Sequence, residues 1–88
     1  MTMLPSRPYL IRAIYEWISD NGLTPYLLVN VQVPGCQIPE QHVNEGKIIL
    51  NIRDEAVQDL QLGNEWVTFN ARFSGVPMEV NIPIQAVL

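Results

Sequence analysis

Histidine and cysteine each occur only once in the 88 residues, as His42 and Cys36. A lone cysteine forms no intramolecular bridge and completes no redox or zinc pair, so Cys36 reads as a small loop or packing residue. His42 is flanked by Glu40 and Glu45, but a metal site there needs a second histidine or cysteine that the chain does not contain. There is no Gly-rich phosphate loop, and no serine or cysteine nucleophile lies in a recognisable motif with a histidine. Asp54, Glu55 and Asp59 lie together, and both an acid-base pair and a solvated polar turn fit them. Nothing near them in sequence supplies the apolar pocket that raises a carboxyl pKa. The chain is therefore expected not to be an enzyme, and to use no metal or cofactor.

Positive charge is also scarce. Arg7, Arg12, Lys47, Arg53 and Arg72 face nine acidic residues, giving a formal charge of -4, and they do not cluster in sequence. The general field repels phosphate backbones, which disfavours nucleic acid as a partner. No run of about 18 apolar residues is present, so no membrane span is expected. The first residues show no basic segment followed by the apolar core of a secretory signal, and the expected location is cytoplasmic.

What the chain does have is ordinary globular composition, 48% hydrophobic and 16% charged residues, which argues against disorder and coiled coil. Its length suits one domain with a modest core. Pro8 fits the first turn of a helix running to about Asn21, with Gly22 as a left-handed cap and Thr24-Pro25 preventing continuation. At 100° per residue its apolar positions sweep about 240°, more than one sheet needs to cover. Two readings fit the excess: partly exposed rim aromatics, or a second copy of the helix packed across a two-fold axis through Tyr9, Leu10, Ala13, Ile14 and Trp17.

From Tyr26 the period becomes two, giving a strand to Val33 with Leu27, Val29, Val31 and Val33 on one face. An irregular loop from Pro34 to Gly46 follows, then a buried strand Lys47 to Ile52. Arg53 to Gln58 fits a single helical turn, Leu60 and Leu62 a brief strand, and Gly63-Asn64 a hairpin. In EWVTFNARFSG, residues 65 to 75, Val67, Phe69, Ala71 and Phe73 face one way and Trp66, Thr68, Asn70 and Arg72 the other. The second face combines an indole, an amide and a guanidinium; it reads either as a solvated strand face or as a binding surface. Ser74-Gly75 turns into a last strand, Met78 to Gln85, in which Pro83 requires an edge or an outward N–H position. The final residues lack a polar tail, and the natural protein is expected to continue past Leu88. One helix followed by four or five antiparallel strands predicts a mainly β domain, a small, partly open Sm-like or SH3-like barrel. The open side of such a barrel presents strand edges to which an extended peptide can add.

The blocks RPYLIRAIYEWISDNGLTPYL (7 to 27), PGCQIP (34 to 39), GKIILNI (46 to 52) and FNARFSGVP (69 to 77) are collinear, cover nearly the whole chain and resemble the stringent starvation protein B family. The resemblance implies a bacterial adaptor, an Sm-like barrel that dimerises through its N-terminal helix. It implies capture of the ssrA tag, which is added to proteins from stalled ribosomes, and delivery of tagged proteins to the ClpXP protease. The tag would lie extended in a groove, and an acidic flexible tail would dock on ClpX. The likeness is to the substrate-binding domain, so residues 1 to 88 are expected to form one tag-binding domain, with the acidic linker and tail outside it.

The matched FNARFSGVP block implies Phe69, Ala71, Phe73 and Val76 as apolar groove walls, with Ala71 small enough for a peptide backbone to approach. It implies Asn70, Arg72 and Ser74 as hydrogen-bonding groups, Arg72 being suited to a tag carboxylate. Asn51 and Met78 on neighbouring strands complete the set. Alternation puts these residues on two faces, so they share one groove only if the strand bends at a bulge. The alternative reading is an Sm-like RNA-binding module, which rests on fold analogy and is opposed by the acidity.

Overall fold

A computed structural model of the chain describes residues 3–88. The N-terminal helix, α1, spans Arg7–Asp20 and has Pro8 buried in its first turn. It ends as Gly22 takes a positive φ of 71°, with Gly22 N–H donating to the Ser19 carbonyl (3.0 Å) and Leu23 N–H to the Ile18 carbonyl (3.2 Å). This paired arrangement satisfies carbonyls that the last turn leaves open, and it favours the one residue without a Cβ. Ile11 and Tyr15 pack on the core. The Arg12 guanidinium lies 4.5 Å from the Tyr9 ring centre and reaches across to donate to the Leu62 carbonyl at 3.0 Å.

Five strands follow: β1 Tyr26–Asn30, β2 Lys47–Asn51, β3 Gln58–Leu62, β4 Trp66–Phe73 and β5 Val76–Pro83. They form two antiparallel sheets, β1-β2 and β3-β4-β5, which do not close on each other. The result is a mainly β domain with one helix, matching the expected partly open small barrel. Both sheets turn one face inward, Leu27, Val29, Ile48 and Leu50 from the first and Val67, Phe69, Val80 and Ile82 from the second. Period-two alternation of branched and aromatic residues produces this core directly.

The boundaries differ from the sequence reading in several places, β5 among them, which runs Val76–Pro83 rather than Met78 to Gln85. β1 stops at Asn30 rather than Val33, because the Asn30 side chain accepts the Gln32 N–H (3.0 Å) and its carbonyl accepts the Val33 N–H (3.3 Å). Such local bonds offer the backbone an alternative to the ladder. The 34 to 46 loop is more ordered than expected: Gln37 bonds Asn81 in both directions, and Glu40–His42 forms a 3-10 turn. Arg53 to Gln58 is a turn closed by Ala56 N–H on the Arg53 carbonyl, with β3 beginning at Gln58 and pairing out of register between Gln58 and Gln61. The β3-β4 hairpin turns at Asn64 and Glu65, one residue later than expected, where Gly63 N–H donates to the Trp66 carbonyl.

β5 ends at Pro83, and residues Ile84–Ala86 form a 3-10 turn. The bond from Ile84 N–H to the Glu65 carbonyl sets the parity of the β4-β5 ladder, so the position of Pro83 opposite Trp66 is one whose N–H side faces away from β4. That is the placement a proline tolerates. Ile84, Ala86 and Val87 are buried, and Leu88 N–H donates to the Leu28 carbonyl at 2.9 Å. Among the described residues no helix is long and apolar enough to cross a membrane.

Candidate functional site

A cleft of about 570 Å³ runs along β2 and is lined by all five of its residues, Lys47 to Asn51. Its opposite wall is the end of β4, Ala71, Arg72 and Phe73, and its remaining sides are Leu28, His42, Asn44 and Ala56. Two hairpins shape it. Glu45 and Gly46 take φ of 52° and 76° between the paired residues Asn44 and Lys47, and Ser74 and Gly75 take 53° and 81° between Phe73 and Val76. Two successive left-handed residues are the turn that matches strand twist, so both strands reach the cleft without splaying. The His42 ring sits 5.9 Å from the Phe73 ring, tilted by 44°, and ties the 3-10 turn to the β4 wall.

The floor is apolar and the rim is cationic. Ile48, Leu50, Ala71 and Phe73 belong to or pack against the core, while Lys47 and Arg72 stand on opposite walls. The lining contains no aspartate or glutamate among the described residues, although the chain as a whole carries -4. A second depression of about 360 Å³ shares Ala56, Ala71 and Arg72 with the cleft and continues it to Gln58, Asn70 and Pro77, with Glu55 also on its lining. The two together make an elongated groove crossing the β4 strand. Such a shape accommodates an extended chain, and the cations of the first cleft suit carboxylates at that end of it.

Of the residues implied by the resemblance, Asn51, Ala71, Arg72 and Phe73 line the cleft and Asn70 its continuation. Phe69 requires correction: it is 2% exposed and belongs to the core, because its inward-facing position falls in the middle of β4 where both sheets cover it. Ser74 is a hairpin turn residue and Val76 is exposed beside it, and neither lines the cleft. Met78 lies directly across from Ala71 on β5, on the far side of β4 from β3. The bulge that would bring two faces of β4 together is not in that strand, which pairs regularly from Trp66 to Phe73. Arg72 nevertheless shares the groove with Ala71 and Phe73, because the groove follows the β4 edge and both faces border it.

The sequence reading missed Leu28, Asn44, Ala56 and every residue of β2 before Asn51, and passed over His42. One signal was available: Leu28 and Ile49 are apolar residues on the outward face of otherwise alternating strands, and they pair directly with each other. Among the described residues no group of histidine, cysteine, aspartate and glutamate side chains is placed to hold a metal. Away from the groove, burial pushes the Cys36 thiol up. Burial, then the bond its hydroxyl donates to Asp54 (3.0 Å), pushes the Tyr15 phenol up.

On the opposite side of α1 from its core contacts, Tyr9, Leu10, Ala13, Ile14 and Trp17 are all exposed, Trp17 to 69%. These are the five residues expected to meet a second copy.

A family profile, SspB or stringent starvation protein B, matches residues 5–88. The chain is similar to the stringent starvation protein B homolog of Haemophilus influenzae, with 48% identity over 84 residues that make up 96% of this chain and 56% of that protein. It thus spans a little over half the length of that curated relative.

Proposed function

The chain belongs to the stringent starvation protein B family, and from that premise we propose that it is the substrate-binding part of a cytoplasmic proteolytic adaptor rather than an enzyme. It captures the ssrA tag in extended form in the groove between β2 and the end of β4. The observation that carries this reading is the cleft along β2, with its apolar floor, Lys47 and Arg72 on facing walls and no carboxylate among its own lining residues; Glu55 lies only on its continuation. Ala71 leaves room for a backbone, and Arg72 and Lys47 attract tag carboxylates. Asn51 in the cleft and Asn70 in its continuation offer amide hydrogen bonds. Delivery to ClpXP falls to an acidic tail outside these 88 residues. The unpartnered outer face of α1 supports a homodimer, in which two tails act on one unfoldase with raised effective concentration.

Fluorescence anisotropy of a labelled ssrA-tag peptide, titrated beside a scrambled peptide of equal composition, tests the reading. Saturable binding of the tag alone is the expected result. A folded protein that binds neither peptide would send the search to other ligands, RNA first.

A further inference from the structure

We infer that the groove-side edge of β2 is a strand-pairing edge, and that the bound peptide joins it as an additional strand through the main chain of Ile49 and Asn51. This rests on the peptide-binding reading above and specifies how that site holds its ligand. The parity of the β1-β2 ladder carries the argument. Ile52 N–H donates to the Pro25 carbonyl (3.1 Å) and Val31 N–H donates to the Gly46 carbonyl (2.9 Å), and the register between them is unbroken. Antiparallel pairs alternate between bonded and non-bonded, so Ile48 and Leu50 exchange bonds with β1 while Lys47, Ile49 and Asn51 turn their N–H and C=O outward. Leu28 confirms the alternation from the other strand. It sits opposite Ile49, and its carbonyl is free to accept the Leu88 N–H on the far side of β1.

The outer edges of β1 and β5 are at least partly occupied. The outer edge of β1 is covered by Val87 and Leu88, and Asn81 on the outer edge of β5 pairs with Gln37. On β2, Lys47 is taken by the tight turn, bonding Asn44 in both directions. Ile49 and Asn51 have no backbone partner on that side among the described residues. Their edge opens into the cleft that β2 lines along its whole length. An exposed edge of this kind is a template for another strand unless something covers it.

Arg72 faces it in the same condition. The bond from Ile84 N–H to Glu65 fixes the odd positions of β4 on β5, so the Arg72 main chain points the other way, past the last β3 pair at Gln58 and Asn70. Side chains of an added strand alternate as well. Those level with Ile48 and Leu50 point down toward Ala71 and Phe73, and those level with Ile49 and Asn51 point to solvent.

Amide hydrogen exchange of the labelled protein, read residue by residue with and without excess ssrA-tag peptide, tests this directly. Ile48 and Leu50 are held by β1 in both states and serve as internal controls. The expected result is that Ile49 and Asn51 become protected only with peptide. A scan in which each peptide amide in turn is N-methylated should weaken affinity roughly tenfold at every second position and little between. A tag that binds with Ile49 and Asn51 still exchanging freely, or with no two-residue period in the scan, overturns the strand addition and leaves the adaptor reading standing. A tag that does not bind overturns both.

Discussion

The outer face of α1 and the β2 groove are both apolar and both open, yet they offer a ligand different things. Along α1 every interior backbone group is already bonded within the helix, so Leu10, Ile14 and Trp17 present side chains alone. A partner there has to bring apolar surface of matching shape, and a second α1 does so by symmetry. The groove shows backbone as well as side chains, with cations at its rim and a floor that continues the core. It suits a chain whose own backbone is unpaired and whose side chains alternate. The contrast teaches that two exposed hydrophobic patches on one small domain need not compete: one is suited to a folded surface, the other to an extended segment.

The sharpest way to break this division is to charge the helix face. Ile14→Asp sets a carboxylate in the proposed dimer seam, twice per dimer, at a cost of several kcal/mol and therefore a loss of dimer affinity of about a thousandfold or more. Sedimentation at micromolar concentration is expected to show a folded monomer. Tag affinity per domain should be unchanged, since Ile14 lies outside the groove lining. Loss of tag binding along with the dimer would mean that the two surfaces form one site.

Ala71→Gln makes the reciprocal experiment. It fills the half-buried floor position with a longer side chain and no charge, and overpacking of about 1 to 3 kcal/mol corresponds to roughly 10- to 100-fold weaker tag binding. Anisotropy should register that loss while sedimentation still shows the dimer. Retained tag affinity would take Ala71 out of the groove.

The core and the helix stripe were legible in the sequence because periodicity is local information. Val67 and Phe69, Val80 and Ile82, and the five outer residues of α1 stand where their spacing puts them. The groove was legible only in part, on the β4 side, through Ala71, Arg72 and Phe73. Its other wall depends on pairing between segments about twenty residues apart, Leu28 with Ile49, and on a turn that swings His42 onto Phe73. Nothing in a single strand reveals that its neighbour is absent. Phe69 was misplaced for a related reason: its face was read correctly, but whether that face is floor or core at a given position depends on where the second sheet stops covering it.

Charge gives a smaller test of the same contrast. Lys47 is an exposed residue at one wall, so Lys47→Gln removes a screened attraction of about 0.5 to 1 kcal/mol, a two- to five-fold loss of tag affinity. That loss should shrink as salt is raised, because the Debye length falls to about 3 Å at 1 M. The proposed dimer, whose seam would be the apolar residues of α1, should respond little to the same salt. A dimer that dissociates with salt would point to ionic contacts across the seam through Glu16 and Asp20, which are exposed on the same flank as Tyr9 and Ala13.

Tyr15 belongs to neither surface and sets the baseline for both. It lies on the inner side of α1, packs against the core and donates its hydroxyl to Asp54. Tyr15→Phe keeps the ring and removes one largely exposed bond, for a cost near 0.5 kcal/mol or about 2 to 4 °C in Tm. Tag binding and dimerisation should not change. Its pH signature has a definite sign. Burial, followed by the bond and the charge of Asp54, raises the phenol's folded-state pKa, so the folded state favours the neutral form. The resulting stability is fully present below the ordinary tyrosine value of about 10 and is lost as pH rises through the raised value. Thermal melts at increasing pH above 10 should therefore fall less steeply for Tyr15→Phe than for the parent chain. Parallel curves would mean that Tyr15 titrates as freely in the folded protein as in the unfolded one, and that α1 is held to the barrel by Ile11 and Arg12 without its help.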